Sequence, residues 1–381
     1  MTPDPEAAGH PVPLLDLDAQ HRPLRARLDA AVAAVVDHGR FVAGPEVAVF
    51  ERRWASFCEV AHAIGCSSGT SALTLALRAL GIGPGDDVVT TSMTFIATIE
   101  SIIEAGARPV LADVDPDTGL MTPETAAAVL TPATAAIVAV HLWGQMVDMP
   151  GLRALAGRYG LALVEDAAQA HGARWKGVRA GAAGDAAAFS FFPGKNLGAF
   201  GDAGAVTTGS AQVAEAVRKL RDHGRLDKYR HDVLGTNARL DTLQAAVLAV
   251  KLDELDGWNE RRRAHAAAYD DEFAGVDGVE PIVIRPDALA VHHQYVIRVV
   301  DRESVAAALD AAGIGHGVHY PVAMARQPAL AGLADPDAYP AADRLAASVL
   351  SLPVYPELEV ADRLRVIHAL GRGRELRPVK A

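Results

Sequence analysis

The sequence has few cysteines, no long apolar run and no concentration of positive charge. Its two cysteines, Cys58 and Cys66, cannot form a disulfide framework or hold an iron–sulfur cluster by themselves, which is typical of a reducing compartment. A net charge of −11, with 36 scattered lysines and arginines, excludes the basic surface that nucleic-acid binding requires. The N-terminus lacks the basic region and apolar run of a signal peptide, and no stretch of about 18 apolar residues follows. We therefore expect a cytoplasmic protein without nucleic-acid or membrane partners.

The 14 histidines do not indicate a metal site. The pairs His292–His293 and His316–His319 come nearest to ligand spacing, but neither has cysteines or carboxylates placed to complete a ligand set. We expect these histidines to be exposed or hydrogen-bonded within the protein, and we predict no metal.

The length of the chain and the order of its apolar segments predict two domains. A chain of 381 residues exceeds the roughly 250–300 residues at which a single core stops growing. Strand-like runs alternate with helical patterns through the first two-thirds, which predicts a mainly parallel sheet with helices on both faces. The runs are AHAIGC, DDVVTTS, RPVLADV, AAIVAVHLWG, LALVEDAAQ, DAAAFSFF and GAVTTG. Ligands of such sheets bind beyond the carboxyl ends of the strands, so the residues after each run are candidates for a site.

Beyond Gly235 the pattern changes to that of a smaller lobe. One long amphipathic helix is predicted over RLDTLQAAVLAVKLDELDGWNERRRAHAAAYDDEF, because its leucines and valines recur every three or four residues. The segment QYVIRVV then has the pattern of a strand, and RESVAAALDAAG and ADRLRVIHALG have the pattern of helices. We predict a large α/β domain over residues 1–250, with an N-terminal helical segment, and a small α+β domain over residues 251–381.

One lysine stands in an apolar, glycine-rich stretch, AFSFFPGKNLGAFGDAG, where it is the only cation. The glycine and proline neighbours of Lys195 let the backbone pass close to a bound group. The rings of Phe189, Phe191 and Phe192 are expected to keep water away. This setting predicts a chemical role for Lys195.

A carboxylate and a set of small polar residues follow two of the predicted strands. Asp166 follows the apolar run LALV, at the end of a predicted strand. A half-buried carboxylate at that place needs a cation such as a protonated ring nitrogen. The alternative is that Asp166 caps the N-terminus of a helix. Gly69 and Thr70 stand where a strand gives way to a helix, and N–H groups at a helix start bind a phosphate dianion. Ser190, just before the lysine, could add a hydroxyl. Taken singly, these residues are also ordinary helix caps.

Together these residues meet the requirements of pyridoxal phosphate. That cofactor needs a lysine for a Schiff base, an acid at its pyridine nitrogen, a phosphate site and an aromatic ring such as Phe95 to stack on it. Lys195 would hold the cofactor and, once displaced by substrate, would move a proton between the amino donor and the cofactor.

Over nearly its whole length the sequence resembles the DegT/DnrJ/EryC1/StrS family, the pyridoxal-phosphate sugar aminotransferases of fold type I. The matching segments, in order, are PLLDLDAQ, GRFVAGPEVAVFE, SSGTSALTLAL, TTSMTFIATIESI, HLWGQMVDM, LVEDAAQAHGA, AFSFFPGKNLGAFGDAG, GTNARLDTLQAAVL and LSLPVYPEL. The resemblance implies a fold type I transferase with a seven-stranded, mainly parallel mixed sheet sandwiched by helices, followed by a smaller α+β domain.

The resemblance also implies roles for individual residues. It implies that Lys195 forms the Schiff base with the cofactor, Asp166 binds the pyridine nitrogen and Gln169 binds the ring hydroxyl. It also implies that Phe95 stacks on the ring and that the phosphate is bound by Gly69, Thr70 and Ser190. Asn237, in GTNARLD, matches a residue that reaches the phosphate of the neighbouring subunit, which implies a homodimer with shared sites. From the pattern alone Asn237 would be a turn residue. The substrate-binding candidates are His141, Arg230, Arg239 and Tyr320.

The reaction implied by the resemblance is transfer of an amino group from L-glutamate, through the pyridoxamine phosphate form, to a keto sugar. The expected acceptor is a nucleotide-linked (dTDP-type) 3-keto or 4-keto-6-deoxyhexose, and a cyclitol ketone of the inosose type is an alternative. Related sugar 3-dehydratases replace the lysine with histidine, so Lys195 argues against that reaction. A non-catalytic regulator with this fold would have lost Lys195 or Asp166.

The sequence departs from the family pattern at two places near the expected sugar site. Ala325 and Leu330 occupy positions that lie in a histidine-containing PLHLQPAY pattern in many members, so the sugar pocket is expected to differ. Asp222 replaces the usual asparagine of an RNHG pattern, within the one basic run of the chain. That run could attract a nucleotide diphosphate, or it could form a solvated helix face.

Overall fold

A seven-stranded sheet forms the centre of the molecule, a computed structural model that describes residues 10–371. The ends of the two predicted domains, residues 1–9 and 372–381, lie outside the described residues. In chain order the strands are β1 (His62–Cys66), β2 (Asp87–Thr91), β3 (Arg108–Ala112), β4 (Thr134–Val140), β5 (Ala162–Asp166), β6 (Arg174–Trp175), β7 (Val178–Arg179), β8 (Ala186–Ser190), β9 (Gly204–Thr208), β10 (Val279–Pro281), β11 (Ala288–Leu289), β12 (Tyr295–Val299) and β13 (Val349–Leu352).

The order of strands in the large sheet is β1-β9-β8-β5-β4-β2-β3. Neighbours from β8 to β3 pair in parallel, whereas β9 pairs antiparallel with both β8 and β1. The sheet is therefore mixed but mainly parallel, and each of the predicted strand runs forms one of its strands. The carboxyl ends of β4, β5 and β8 lie side by side, where an α/β sheet places its ligands.

Helices cover both faces of this sheet. They are α1 (Leu17–His21), α2 (Arg25–His38), α3 (Pro45–Cys58), α4 (Gly69–Ala79), α5 (Ile96–Glu104), α6 (Pro123–Ala127), α7 (Met149–Tyr159), α8 (Ala211–Leu220), α9 (Thr242–Leu252), α10 (Leu255–Phe273), α11 (Arg302–Ala311), α12 (Pro340–Ser348) and α13 (Val360–Gly371). Short 3₁₀ turns lie at Arg22–Leu24, Leu142–Gly144, Met324–Arg326, Pro328–Leu330 and Pro336–Ala338. Among the helices of residues 10–371, none has the length and apolarity needed to cross a membrane.

Alternate residues of the central strands pack into two separate cores. Along β4, Ala136 and Val138 join a core with α4 and α8, whereas Ile137 and Ala139 join a core with α3 and α7. Because successive side chains of a strand point to opposite faces, a strand that is buried on both faces is apolar throughout. This explains why the sequence shows continuous apolar runs rather than polar alternation.

The long helix predicted over residues 239–273 is two helices, so that prediction was wrong in detail. Helix α9 ends at Leu252 and α10 begins at Leu255. Guanidinium groups from two distant helices bind this junction: Arg53 donates to the carbonyl of Ala249 at 2.7 Å, and Arg27 binds Asp253 at 2.7 Å. The break follows from these long-range contacts, which a local apolar period does not record.

The C-terminal elements build a second, smaller sheet with its own core. Strands β10, β12 and β13 form an antiparallel sheet that α10, α11 and α13 cover. The strand QYVIRVV and the helices predicted on either side of it lie here. Strand β11 instead pairs with β6, and together with β7 they form a third, three-stranded sheet that is separate from the large one. The placing of the domain boundary at residue 250 stays a prediction.

The described N-terminal segment is attached to the smaller C-terminal lobe, at the segment that follows α11. Val12 forms a parallel bridge with Ile314, donates to Gly313 O at 2.9 Å and accepts from Gly315 N at 2.7 Å. This attachment brings the next residues, Leu14 and Leu15, to the rim of the cavity described below.

Candidate active site

The main cavity of the described chain, about 500 Å³ in volume, opens at the carboxyl ends of β4, β5 and β8. It is bounded by the large sheet on one side and by residues of the small lobe, such as Leu352 and Val354, on the other. The predicted site residues that line it are Gly69, Thr70, Phe95, His141, Asp166, Gln169, Ser190, Lys195 and Tyr320. The folded chain therefore brings together residues that are up to 251 positions apart (320 − 69).

Asp166 lies at the last position of β5 with its carboxylate buried. One oxygen accepts from the Thr98 hydroxyl at 2.8 Å and the other from the Ala168 N–H at 3.2 Å. No helix begins after Asp166, so the alternative of a helix N-cap is excluded. Burial raises the pKa of Asp166, while Thr98, Ala168 and the charge of Lys195 oppose that rise. A cation placed against this carboxylate would favour its ionised form.

The start of α4 forms an anion cradle. Ser68 and Ser71 cap the helix reciprocally, each side chain accepting the backbone N–H of the other at 3.0 Å. This leaves the N–H groups of Gly69 and Thr70, which have no acceptor within the helix, free to face a ligand. A Cβ at Gly69 would lie 2.6 Å from the Cβ of Ser190, so only glycine allows the helix to start this close to β8. A side chain there would fill the space between the helix and Ser190.

Lys195 follows the turn that leaves β8, and its N–H donates to the Phe192 carbonyl at 2.8 Å. Its side chain is half-buried and ends in the cavity with Asp166. Burial lowers the pKa of Lys195 to about 8, although the charge of Asp166 raises it. Far more of this amine is therefore uncharged near neutral pH than in an ordinary lysine, and the uncharged form is the nucleophile.

The aromatic residues around Lys195 divide into two groups, which corrects the expectation that all three phenylalanines enclose it. Phe189 and Phe191 are fully buried in the core and pack edge-on against Trp54, with ring centroids 4.9 and 5.2 Å from it. Phe192 alone lines the cavity. Phe189 belongs to β8, where its side chain and that of Ser190 point to opposite faces.

Gln169 and Tyr320 meet at one side of the cavity. The amide Nε2 of Gln169 donates to the Tyr320 hydroxyl at 3.1 Å, and its Oε1 accepts from the Trp143 N–H at 2.6 Å. The rings of Tyr320 and Phe95 lie 5.8 Å apart, and Phe95 keeps 53% of its surface exposed. An open aromatic face is therefore available in the cavity for a flat ring to stack on.

His141 lies at the end of β4, but both of its ring nitrogens bind protein atoms. Nε2 is 2.9 Å from a Glu165 carboxylate oxygen, and Nδ1 accepts from the Val147 N–H at 3.4 Å. Glu165 also accepts three backbone N–H groups, from Gly181, Ala183 and Gly184. Both side chains are completely buried in the described chain. His141 borders the cavity, but neither of its ring nitrogens is free to bind a ligand there, and a substrate-binding role for it stays a prediction.

Three predicted residues do not line the main cavity of this chain. Asn237 is exposed, and Arg230 is exposed 3.8 Å from Asp227. Arg239 forms an ion pair with Asp222 beside a second cavity of about 240 Å³. Within the predicted basic run, acidic side chains pair with Lys219, Arg221, Arg225 and Arg230 and offset much of its charge. The histidines considered as metal ligands have other partners: His316 binds Asp310 at 3.2 Å and His319 binds Ser351 at 2.8 Å.

Several residues of the site were not recognised in the sequence. Thr98 is one, although it lies in the first turn of α5, three residues after Phe95, the N-cap residue of that helix. The side chain of Asn196, next to Lys195, donates to Asn259 Oδ1 at 2.9 Å and to Val291 O at 3.0 Å. The amide oxygen of Asn196 can only accept, and it accepts from His293 Nδ1 at 3.1 Å. No short-range pattern indicates these contacts.

Comparison with known proteins agrees with this geometry. The sequence pattern of the DegT/DnrJ/EryC1/StrS aminotransferase family matches residues 23–371. A dTDP-3-amino-3,4,6-trideoxy-alpha-D-glucose transaminase of Streptomyces venezuelae is 49% identical over 94% of this chain and 95% of its own length. The erythromycin biosynthesis sensory transduction protein EryC1 of Saccharopolyspora erythraea is 47% identical over 93% of this chain and 97% of its own. The crystal structure of S. venezuelae DesV with a ketimine intermediate superposes with a TM-score of 0.94 at 48% identity, covering 96% of this chain and 99% of that one.

Proposed function

The chain belongs to the DegT/DnrJ/EryC1/StrS aminotransferase family, and we propose that it moves an amino group from L-glutamate to a nucleotide-linked keto-6-deoxyhexose. The predicted family, the fold class and a sugar aminotransferase activity are confirmed. The donor, the exact acceptor, the site residues, the dimer and the cytoplasmic location belong to the proposal. The main support for the proposed activity is that Lys195, Asp166 and the start of α4 line the same cavity.

The residues of this cavity fit pyridoxal phosphate, on which this family depends. Gly69, Thr70 and Ser190 would hold the phosphate, because a glycine at the helix start leaves the space that a Cβ would fill. Asp166 would face the pyridine nitrogen, Phe95 would stack on the ring and Gln169 would approach the ring hydroxyl. When bound, the cofactor supplies an electron sink for the carbanion formed at the donor.

The protein groups around that position have distinct tasks. The uncharged amine of Lys195 would take the proton from Cα of the donor and deliver it to C4′ of the cofactor, as a base whose pKa of about 8 lies near the working pH. Thr98 and the Ala168 N–H hold the Asp166 carboxylate in one orientation. Leu14, Leu15, Leu352 and Val354 line the opposite wall and exclude water from the reacting atoms.

For the acceptor we propose a dTDP-linked 3-keto sugar, in which the ketone at C3 becomes the amine. The names of the S. venezuelae relative and of a 42% identical transaminase of Micromonospora megalomicea support the 3 position. Gln145, close to His141 in the sequence, binds the Val283 carbonyl and the Arg285 N–H with its amide and does not line the main cavity, so it does not bear on the position of the ketone. A cyclitol ketone is the second candidate for the acceptor. The two candidates differ because only the sugar carries a nucleotide diphosphate that the protein could bind.

The site is proposed to be completed by a second copy of this chain. Asn237, Arg230 and Arg239 lie outside their own cavity, and apolar side chains next to them are exposed, including Tyr229 at 79% and Leu234 at 89%. In a homodimer Asn237 would reach the partner's phosphate, while the two arginines would reach the diphosphate of the partner's substrate.

The test is a spectrum followed by product analysis. Purified protein mixed with pyridoxal phosphate should show a Schiff-base absorbance band that L-glutamate bleaches and a dTDP-3-keto-6-deoxyhexose restores, with an amino sugar as product. A spectrum that glutamate leaves unchanged contradicts the proposal, and a deoxygenated sugar as product would indicate a dehydratase. Lys195→Ala should abolish turnover. If biological function survived that change, the regulator that the name of EryC1 suggests would be the better interpretation.

A further inference from the structure

Arg262 carries a buried positive charge that no carboxylate of residues 10–371 neutralises at ion-pair distance. Arg262 lies on α10, is only 2% exposed, and has no acidic oxygen within 4.0 Å. Burial lowers the pKa of Arg262 to about 10, and the more distant Glu357 only partly offsets this. An unpaired buried charge is costly, so its presence calls for an explanation.

The hydrogen bonds of Arg262 fix the guanidinium without neutralising it. Its Nη1 donates to the carbonyls of Val354 at 2.9 Å, His292 at 3.3 Å and His293 at 3.5 Å. Carbonyl oxygens orient the group but carry no net charge. The Nε atom has no partner among the described residues. Arg262 thus keeps unused donor capacity on a guanidinium that borders the cavity containing Lys195.

Among the basic groups that line the cavity, Arg262 is the one that is charged and has no other task in the proposed reaction. Lys195 serves as the reacting amine. Burial lowers the pKa of His319 to about 4 and that of His293 well below its usual value, so both rings are uncharged at neutral pH. His141 has its nitrogens engaged with Glu165 and Val147.

We propose that Arg262 binds a carboxylate of the amino donor, and thereby gives this cavity its preference for an amino acid such as L-glutamate. This inference rests on the proposed function, in which glutamate is the donor. A carboxylate that enters a water-poor cavity loses bound water, and a nearby cation compensates for that loss. The planar guanidinium of an arginine can donate two parallel hydrogen bonds to the two carboxylate oxygens. The same contact neutralises Arg262, so ligand and protein each supply the counter-ion that the other lacks.

The competing explanation is that Arg262 only joins α10 to the segments around β12 and β13 through its three carbonyl bonds. The two half-reactions separate these explanations. The donor half-reaction begins with glutamate, whereas the acceptor half-reaction, run backwards from the amino sugar, involves no donor carboxylate. A donor-binding residue affects the first alone, and a residue that only supports the fold affects both.

The experiment compares Arg262→Met, which removes the charge, and Arg262→Lys, which keeps it without the fork, in the cofactor-bound protein. We expect the KM for glutamate to rise about tenfold or more with Arg262→Met and less with Arg262→Lys. The acceptor half-reaction should change by less than about threefold, since no donor carboxylate takes part in it. Arg263→Met, one residue along α10 and outside the lining of the cavity, is the matched control and should leave both half-reactions unchanged. Equal losses in both half-reactions of the Arg262 variants would overturn the inference.

A second measurement does not depend on activity or on the folding of a variant. Glutarate, a dicarboxylate of the length of glutamate, should raise the melting temperature of the wild-type protein, and a crystal soaked with it should place a carboxylate within hydrogen-bond distance of Arg262. A carboxylate bound elsewhere in the cavity would contradict the inference. Wild-type protein that does not react with glutamate contradicts the proposed function and this inference with it. A reactive wild type combined with an unchanged glutamate KM in Arg262→Met contradicts only the role of Arg262.

Discussion

The hydroxyl of Thr98 donates to Asp166 at 2.8 Å and in turn lies 2.7 Å from the hydroxyl of Thr94. Helix α5 thus reaches across to the end of β5 and holds the carboxylate expected to face the cofactor. Because burial raises the pKa of Asp166, a bond that favours its ionised form supports the function proposed for it.

Thr98→Val keeps the shape of the side chain and removes this bond. We expect pyridoxal phosphate to bind roughly tenfold more weakly or worse, since a hydrogen bond to a charged group contributes about 1.5–3 kcal/mol. The measurement is a titration of the apoprotein with pyridoxal phosphate followed by absorbance. Thr94→Val is the matched control, because it disturbs Thr98 without touching Asp166, and it should have the smaller effect. Equal affinities for wild type and Thr98→Val would contradict the role given to Thr98.

The amine of Lys195 should become reactive at a lower pH than an ordinary lysine. Its pKa in the folded protein is about 8, against 10.5 for the usual value, so it loses its proton as the pH rises through about 8. The rate of Schiff-base formation with pyridoxal phosphate should therefore rise with pH and level off above that midpoint. In Asp166→Asn, which lacks the negative charge that raises the pKa of Lys195, the midpoint should shift to lower pH.

Labelling of the apoprotein with an amine reagent, read by peptide mass mapping, gives the same midpoint without the cofactor. The Lys195 peptide of the urea-unfolded protein is the reference and should titrate near the usual value. A folded-state midpoint that matches this reference would show that burial does not act on Lys195 as described.

Gly69→Ala should damage both the fold and the anion cradle. Its Cβ would lie 2.6 Å from that of Ser190, so α4 must shift, at a cost of about 1–3 kcal/mol in the free energy of unfolding. The affinity for inorganic phosphate and for pyridoxal phosphate should fall as well. Gly157→Ala is the control: this exposed helical glycine has no atom within 4 Å of a Cβ, and the change should stabilise the protein by about 0.5–1 kcal/mol. Denaturant unfolding of both variants tests the contrast.

Glu165→Gln should lower stability more than most single changes. Glu165 is completely buried and accepts hydrogen bonds from three backbone N–H groups besides its contact with His141, and an amide cannot accept all of them. We expect a loss of about 3–5 kcal/mol in the free energy of unfolding. Glu280→Gln, at a surface ion pair with Arg298, should change stability by less than about 0.5 kcal/mol. Similar losses for the two variants would refute the structural role of Glu165.

Complementation between two inactive variants tests the shared site. In a mixed dimer of Lys195→Ala with Asn237→Ala, one site has lost both residues and the other has kept both. If Asn237 acts on the partner's site, random reassembly should restore about a quarter of wild-type activity, because half the dimers are mixed and each has one intact site. If Asn237 acts within its own chain, mixing should restore nothing. Size-exclusion chromatography of each variant checks that both still form dimers.

The sequence predicts the large sheet and nine residues of the cavity lining for a clear reason. Strands such as β4 and β5 are buried on both faces and are therefore largely apolar, so the polar residues at their carboxyl ends, His141 after β4 and Asp166 in β5, stand out. Parallel strands bring these end positions together. This is why Asp166 could be placed near Lys195 without a structure.

What the sequence does not reveal depends on contacts between distant segments. The break between α9 and α10 depends on Arg27 and Arg53, about 200 positions earlier, and the apolar period continues through it undisturbed. Likewise, the position of the Arg262 guanidinium depends on backbone carbonyl groups of His292, His293 and Val354, which lie next to β12 and β13. Side-chain patterns in a sequence do not show where such carbonyl groups will point. The positions of Phe189 and Phe191 were misjudged because composition alone does not say which face of a strand is the core.

The bridge between Val12 and Ile314 has a consequence for how the protein is made. The segment at the cavity rim leaves the ribosome early, but its pairing partner is synthesised 302 residues later (314 − 12). At translation rates of about 5–20 residues per second, the nascent chain must wait roughly 15–60 s before this pairing can form. The large sheet can assemble during that interval, so closure of the cavity wall is among the last events of biogenesis.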